Sequence, residues 1–558
     1  MSITREQQRF PTRNYPYRAT TLGAAPADAA LQQAVDKNVL YRRIAGLDVI
    51  PRPMTAEELL GLDDPLGRLL RSGKPFPLTL RALLAAIDAL AGTSDALPQQ
   101  LVFLVADGGH IPWTPETDRL RRGFRFAIAR GANDFPLLIS ASTLIESDVN
   151  QAFLQIIGWD TTHSVFNFYE RREGTFFWAG MSEHALRDET RGQQGPFDSH
   201  VNGAPVMKEL RPPWVHWHST QAGINADALA PNDSLRAEPL FQARVSAERL
   251  EREVVRPGIA RWNQRRVTRA VAPDGAWQHI DWFMRQVVTE TTVNLVTADL
   301  ASHILTDETP LELPLSFFLN RDVLFDTLSL IPANPDIARI VISGKLYRDC
   351  LRRYDVHRFD GEMRVEGDTH FAFLVPEAAF EDTNLIDQMV LKGLASARLI
   401  AAISMTDFSN PVFSGRRAAL LKHTPASVHG PDPAVELETR FVAAVEGAVA
   451  AGGEAASADS PEREFLSNWE SAGFTNAFAA RIGDYLAALQ SGVDDPQVVD
   501  GWFRLAEYRR RRFRDRPLAE FRLTTPRTNI PEDAPAMRMT VAGRAEAIPS
   551  LQAPPPYV

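Results

Sequence analysis

Cysteine is almost absent: the chain carries one, Cys350, in 558 residues. No intrachain disulfide can form, and a chain so rich in loops yet without disulfides is expected in a reducing, cytoplasmic compartment. Long apolar runs are missing as well. No stretch approaches the ~18 consecutive apolar residues of a membrane-spanning helix. The N-terminal Met1-Ser2-Ile3-Thr4-Arg5-Glu6 is polar, with no leader-like apolar core. A basic balance is missing too: the net charge of -10 argues against a general nucleic-acid binder.

Several signatures are also lacking. There is no Walker-type glycine loop with lysine, no dinucleotide fingerprint, no Gly-x-Ser-x-Gly elbow, no His-Glu-x-x-His helix and no Cys-x-x-Cys-His string. Nucleotide hydrolysis, nicotinamide-dependent hydride transfer, serine hydrolysis, zincin proteolysis and covalent haem all lose weight, and no nucleotide cofactor is expected.

What is present is the composition of a globular chain, 44% hydrophobic and 23% charged. One core stops growing at roughly 250–300 residues, so two or three domains are expected. The class is read as α+β, with a β-rich central unit flanked by helical regions. Residues 1–99 read as an N-terminal arm and helical region, and 100–235 as the β-rich unit. Residues 236–443 read as a helical or mixed domain, 444–460 as a linker, 461–530 as a helical region and 531–558 as an extended tail. Thr55 caps a helix over Thr55–Leu60 whose stop is Gly61, and Leu78–Leu90 carries leucines at helical spacing. Short runs rich in Val, Ile, Phe and Tyr, at Leu101–Val105, Phe135–Ser140, Phe153–Ile157, Ser164–Glu170 and Thr175–Ala179, predict strands. The last two form a hairpin through Arg171-Arg172-Glu173-Gly174.

Of the twelve histidines, His200, His216 and His218 fall in one interval, Phe197 to Ser219. Alternate residues of a strand share a face, so His216 and His218 can converge on one ion, with His200 arriving from the preceding loop. Three imidazoles suit iron, copper or zinc. Asp198 offers an oxygen, and two histidines with one carboxylate make the facial triad of Fe(II) oxygenases. Trp214, Trp217 and Tyr169 supply aromatic walls, Asn202 a polar contact to substrate, and Gly203 a close backbone approach. His216-Trp217-His218 resembles a copper-ligand strand of the multicopper oxidases. That family needs several such strands and a cysteine ligand, and Cys350 lies elsewhere, so only the local metal-binding logic carries over.

A second candidate is a long helix predicted over Trp277–Leu305. Gln286, Glu290, Asn294 and Thr297 share one face, and Asp299 precedes His303 by four. Such a face, with no lysine or arginine, suits the lining of a buried polar cavity, and Glu290 is its candidate ligand or general base. Arg509-Arg510-Arg511-Arg512, close to Glu507 and Asp515, points to internal ion pairs.

The leading expectation is therefore a metal-dependent oxidoreductase, an oxygenase or oxidase, acting on a small organic molecule through a His-bound iron or copper. No membrane or nucleic-acid partner is expected, and homo-oligomerisation stays open. Two alternatives stand beside it: a non-catalytic assembly protein with wrapping, proline-rich termini, and a metal-independent enzyme using histidine as acid or base.

Overall fold

The computed structural model describes residues 36–548 except 74, 91–98, 108–114, 116–122, 132–135, 144–151, 173, 194, 206–228, 246, 290, 299, 301, 360–363, 369–371 and 515–525. The fold is α+β. Eight strands form its largest sheet: β1 (Tyr41–Arg42), β2 (Arg52–Pro53), β3 (Gln99–Asp107), β4 (Gly123–Gly131), β5 (Leu137–Ser142), β6 (Leu154–Asp160), β7 (Val165–Arg172) and β8 (Thr175–Met181). Their order is β2-β1-β8-β7-β6-β5-β4-β3. From β3 to β8 the sheet is an antiparallel meander, and β1 joins β8 in parallel.

Burial follows position. In β5 buried and half-buried residues alternate, the period-2 mark of a strand with one covered face. In β8 Thr175 to Gly180 are all buried, because this strand lies between β1 and β7 with both faces covered. The predicted hairpin is β7–β8, and the other predicted strand runs fall on β3, β5 and β6.

Helix Ala56–Leu60 starts as its sequence says: Thr55 accepts from the Glu58 amide while Glu58 accepts from the Thr55 amide, a reciprocal cap. Helix Pro65–Ser72 begins at Asp64, whose Oδ1 accepts from the amides of Leu66 and Gly67. The same carboxylate reaches into the sheet through Oδ2, which accepts from Asn167 Nδ2 at 2.9 Å and from the Tyr169 hydroxyl. Asn167 in turn accepts from Trp178 Nε1 at 3.0 Å.

A second apolar core lies in the helical body. The helix Ala397–Ser404 is buried over Leu399–Ile403 and packs against the helices Asp281–Val288 and Pro461–Trp469, while Pro433–Ala450, Phe474–Gly492 and Pro496–Arg514 add side chains to the same core. Residues 444–450, read as part of a linker, are the last turns of Pro433–Ala450. In the segment read as an extended tail, Ala536–Met539 and Ala545–Ile548 pair as a hairpin.

Sheet and helical body meet along Arg256–Thr268. Its Arg261 lies over Trp159 at 4.3 Å, its Gly258 takes Pro205 against the backbone, and Trp262 is fully buried. The ribbon Val293–Val296 with Val375–Ala378 also sits at this joint, and its Val293, Leu295 and Ala378 belong to the core beneath the sheet. Among the described residues no helix is long and apolar enough to cross a membrane.

Candidate functional site

After β8 the chain turns through three short 3-10 segments, Ser182–Leu186, Asp188–Thr190 and Pro196–Asp198, and folds back onto β7. Ser182 ties the return: its hydroxyl donates to the Gly203 carbonyl at 2.7 Å and accepts from the Phe166 amide at 2.9 Å. Gly203 has φ +74, and a Cβ there would lie 2.3 Å from the Ser182 carbonyl oxygen, so this return needs glycine.

His200 stands at the start of that turn. Its carbonyl accepts from the Gly203 amide, and its Nδ1 lies 2.8 Å from the Ala204 carbonyl oxygen. A carbonyl only accepts, so Nδ1 carries a proton, and in the neutral ring the lone pair is then on Nε2. The half-buried imidazole rests on Phe168 with centroids 5.2 Å apart, and Phe168 meets Phe197 edge to face at the same separation. Asp198 is half-buried in the turn just before His200.

A register shift in β7 separates Phe168 from Tyr169. Bulges of this kind re-aim side chains. Phe168 meets His200, whereas the Tyr169 hydroxyl donates to Asp64. Tyr169, expected as a wall of the histidine site, is therefore a member of the Asp64 network. Burial raises the Asp64 carboxyl above its usual range and pushes the Tyr169 phenol well above its own.

Asn202, two residues beyond His200, is 4% exposed and leaves the sheet for the helical body. Its Nδ2 donates to Thr291 Oγ1 at 2.8 Å and lies 3.5 Å from Asp382 Oδ1, while its carbonyl accepts from Trp262 Nε1 at 2.7 Å. Asp382 is a hub. Its Oδ1 also accepts from Gln286 Nε2 at 2.8 Å and Thr291 Oγ1 at 2.7 Å, and its Oδ2 from the Thr292 amide at 3.3 Å. Arg266 extends the chain by donating to Gln286 Oε1 at 2.6 Å. Burial lowers the Arg266 guanidinium to about 10, with the nearby Asp382 charge opposing.

The two stretches singled out in the sequence thus meet, though not as expected. The helix predicted over Trp277–Leu305 ends at Val288, and Val293–Val296 is a strand. The run Thr291-Thr292-Val293 is β-branched, which disfavours a helix, and Thr289 turns its hydroxyl onto the Arg285 carbonyl. Gln286 and Asn294 therefore do not share a helical face. Gln286 reaches Asp382, whereas Asn294 sits in the ribbon opposite Glu377.

His216, His218, Trp214, Trp217 and Glu290 lie outside the described residues. Among the described residues no group of three or more His, Cys, Asp or Glu side chains is placed to hold a metal ion. Other histidines among the described residues have local partners. His163 Nδ1 lies 3.1 Å from Asp160, and His423 Nε2 lies 3.1 Å from Glu462. His184 Nδ1 accepts from the Met181 amide at 3.1 Å, and burial lowers this histidine to about 4. Burial pushes the Cys350 thiol up to about 12, which makes it a packed thiol rather than a nucleophile. In the basic run, Arg510 pairs with buried Glu507 at 2.8 Å, Arg509 donates to the Phe317 carbonyl and Arg511 to the Pro531 carbonyl.

Three residues of this network are not legible in the sequence: Arg266, and from the first turn of the helix Phe380–Leu391 both Asp382 and Glu381, which accepts from the Thr292 hydroxyl. An acidic pair in a first helical turn reads as ordinary helix-dipole chemistry, and nothing in its spacing points to Asn202. No protein-family model, no curated protein and no solved structure matches the chain.

Proposed function

We propose that the chain is a metal-dependent oxidoreductase, an oxygenase or oxidase acting on a small organic substrate, in which His200, His216 and His218 hold one iron or copper ion. The observation that carries the reading is the bond from His200 Nδ1 to the Ala204 carbonyl. A metal-binding imidazole gives one nitrogen to the ion while its other N–H is held by a carbonyl or carboxylate, and His200 has that second half in place. Phe168, braced edge to face by Phe197, gives its ring an apolar floor. In this reading Asp198 supplies an oxygen ligand, Glu290 a ligand or proton acceptor, and Trp214 and Trp217 the walls. Tyr169, whose hydroxyl serves Asp64, and Asn202, whose amide is held by Thr291 and Asp382, belong to the framework around the site. The ion would activate oxygen or polarise the substrate.

The alternative of a histidine acting as a plain base draws on the same Nε2 lone pair. Titrating metal-stripped full-length protein with Co(II), read by visible d–d absorption, separates the two. The metal reading expects saturation near one equivalent and loss of the band in His200→Ala. A wild-type protein that gives no band overturns it.

A further inference from the structure

The loop bearing His200 is held at its far end by a residue nearly two hundred positions away. Asp382 is 3% exposed and Asn202 4% exposed, so their contacts are made out of water. In that setting a carboxylate that receives several donors is rigid, and removing one partner costs more than a surface bond does. Three features converge on the segment Val201–Pro205. Asp382 and Thr291 hold the Asn202 side chain, Trp262 holds its carbonyl, and Gly258 admits Pro205 with the proline Cγ 2.9 Å from where a Cβ would stand. The Ala204 carbonyl that orients the His200 ring lies inside this clamped segment.

We infer that Asp382 is a positioning residue: through Asn202 and Thr291 it sets the place of the Val201–Pro205 turn, and through the Ala204 carbonyl it fixes the tautomer and direction of His200. What His200 then does rests on the metal reading above; where the turn sits does not.

The test uses full-length protein in four forms: wild type, Asp382→Asn, Asn202→Ala and the double variant. Amide hydrogen exchange is followed over 200–204 and over β6–β8, and labelled histidine reports the ring tautomers by NMR. The inference expects exchange over 200–204 to rise about tenfold in each single variant. It expects no further rise in the double variant, because both changes break one linkage. It also expects His200 to pass from a single Nδ1–H tautomer to a mixture, a change that general loosening would not single out. Three results each overturn it: wild-type exchange over 200–204, additive single effects, or a rise spread evenly over β6–β8. If Asp382→Asn does not fold, Asn202→Ala with Thr291→Ala carries the same test, since those effects must also be non-additive. Failure of the metal reading shows separately, in the Co(II) titration of wild type.

Discussion

Asp64 rests directly on Gly158 of β6: a Cβ on Gly158 would lie 2.4 Å from the Asp64 Oδ1. The missing side chain is what lets one carboxylate cap the helix Pro65–Ser72 and still accept from Asn167 and Tyr169 on the sheet. This makes the Asp64 cluster a joint between helix and sheet, and it occupies the Tyr169 hydroxyl.

Tyr169→Phe is therefore expected to act on stability. It removes one donor from a fully buried carboxylate, at a cost of about 1–3 kcal/mol. Urea unfolding should show a lower midpoint with an unchanged slope, while the metal content and the Co(II) band stay at wild-type levels. A large loss of the Co(II) band with unchanged stability would return Tyr169 to the site.

His184 supplies a pH dependence whose sign can be worked out. Its folded-state value is about 4, below the 6.5 of the free group, so between the two the unfolded chain binds the extra proton. Stability from this residue is present above pH 6.5, falls as the pH drops below it, and is fully lost below about 4, by up to about 3 kcal/mol. Asp64, Asp368 and Asp407, raised by burial, contribute with the opposite sign as the pH falls. The comparison with His184→Gln isolates the histidine. Thermal unfolding at pH 7 and pH 4.5 should show a larger loss in wild type than in the variant, and equal losses would contradict the assignment.

Cys350 should be silent in the native protein. Its thiol is buried and pushed up to about 12, so little thiolate exists at neutral pH. Alkylation by iodoacetamide is expected only in denaturant, and rapid labelling of folded protein would show that the helix Gly344–Arg353 opens readily.

Much of the fold was legible where the determinants are local. The Thr55–Glu58 cap, the β7–β8 hairpin and the strands rich in Val, Ile and Phe each follow from residues a few positions apart. Strand β4 is hard to see in the sequence, because Arg125 and Arg130 interrupt its apolar pattern. Arg130 is buried only because Asp88, from the helix Leu80–Leu90, and Gln100 meet it there. The break after Val288 is hidden for the opposite reason: polar residues at helical spacing mask the β-branched Thr291-Thr292-Val293. His200, Asn202 and Gln286 each stand out on local grounds, and two of the three, Asn202 and Gln286, meet through a common partner. That partner, Asp382, is 180 positions from Asn202. A contact at that separation is set by how the sheet and the helical body pack, which no local pattern encodes.

The central claim, an ion held by His200, His216 and His218, is tested most directly by elemental analysis of untagged protein. The account predicts close to one iron or copper per chain in wild type and a loss of most of it in His216→Ala. Wild-type protein without stoichiometric metal, or a His216→Ala variant that keeps its full complement, would contradict it.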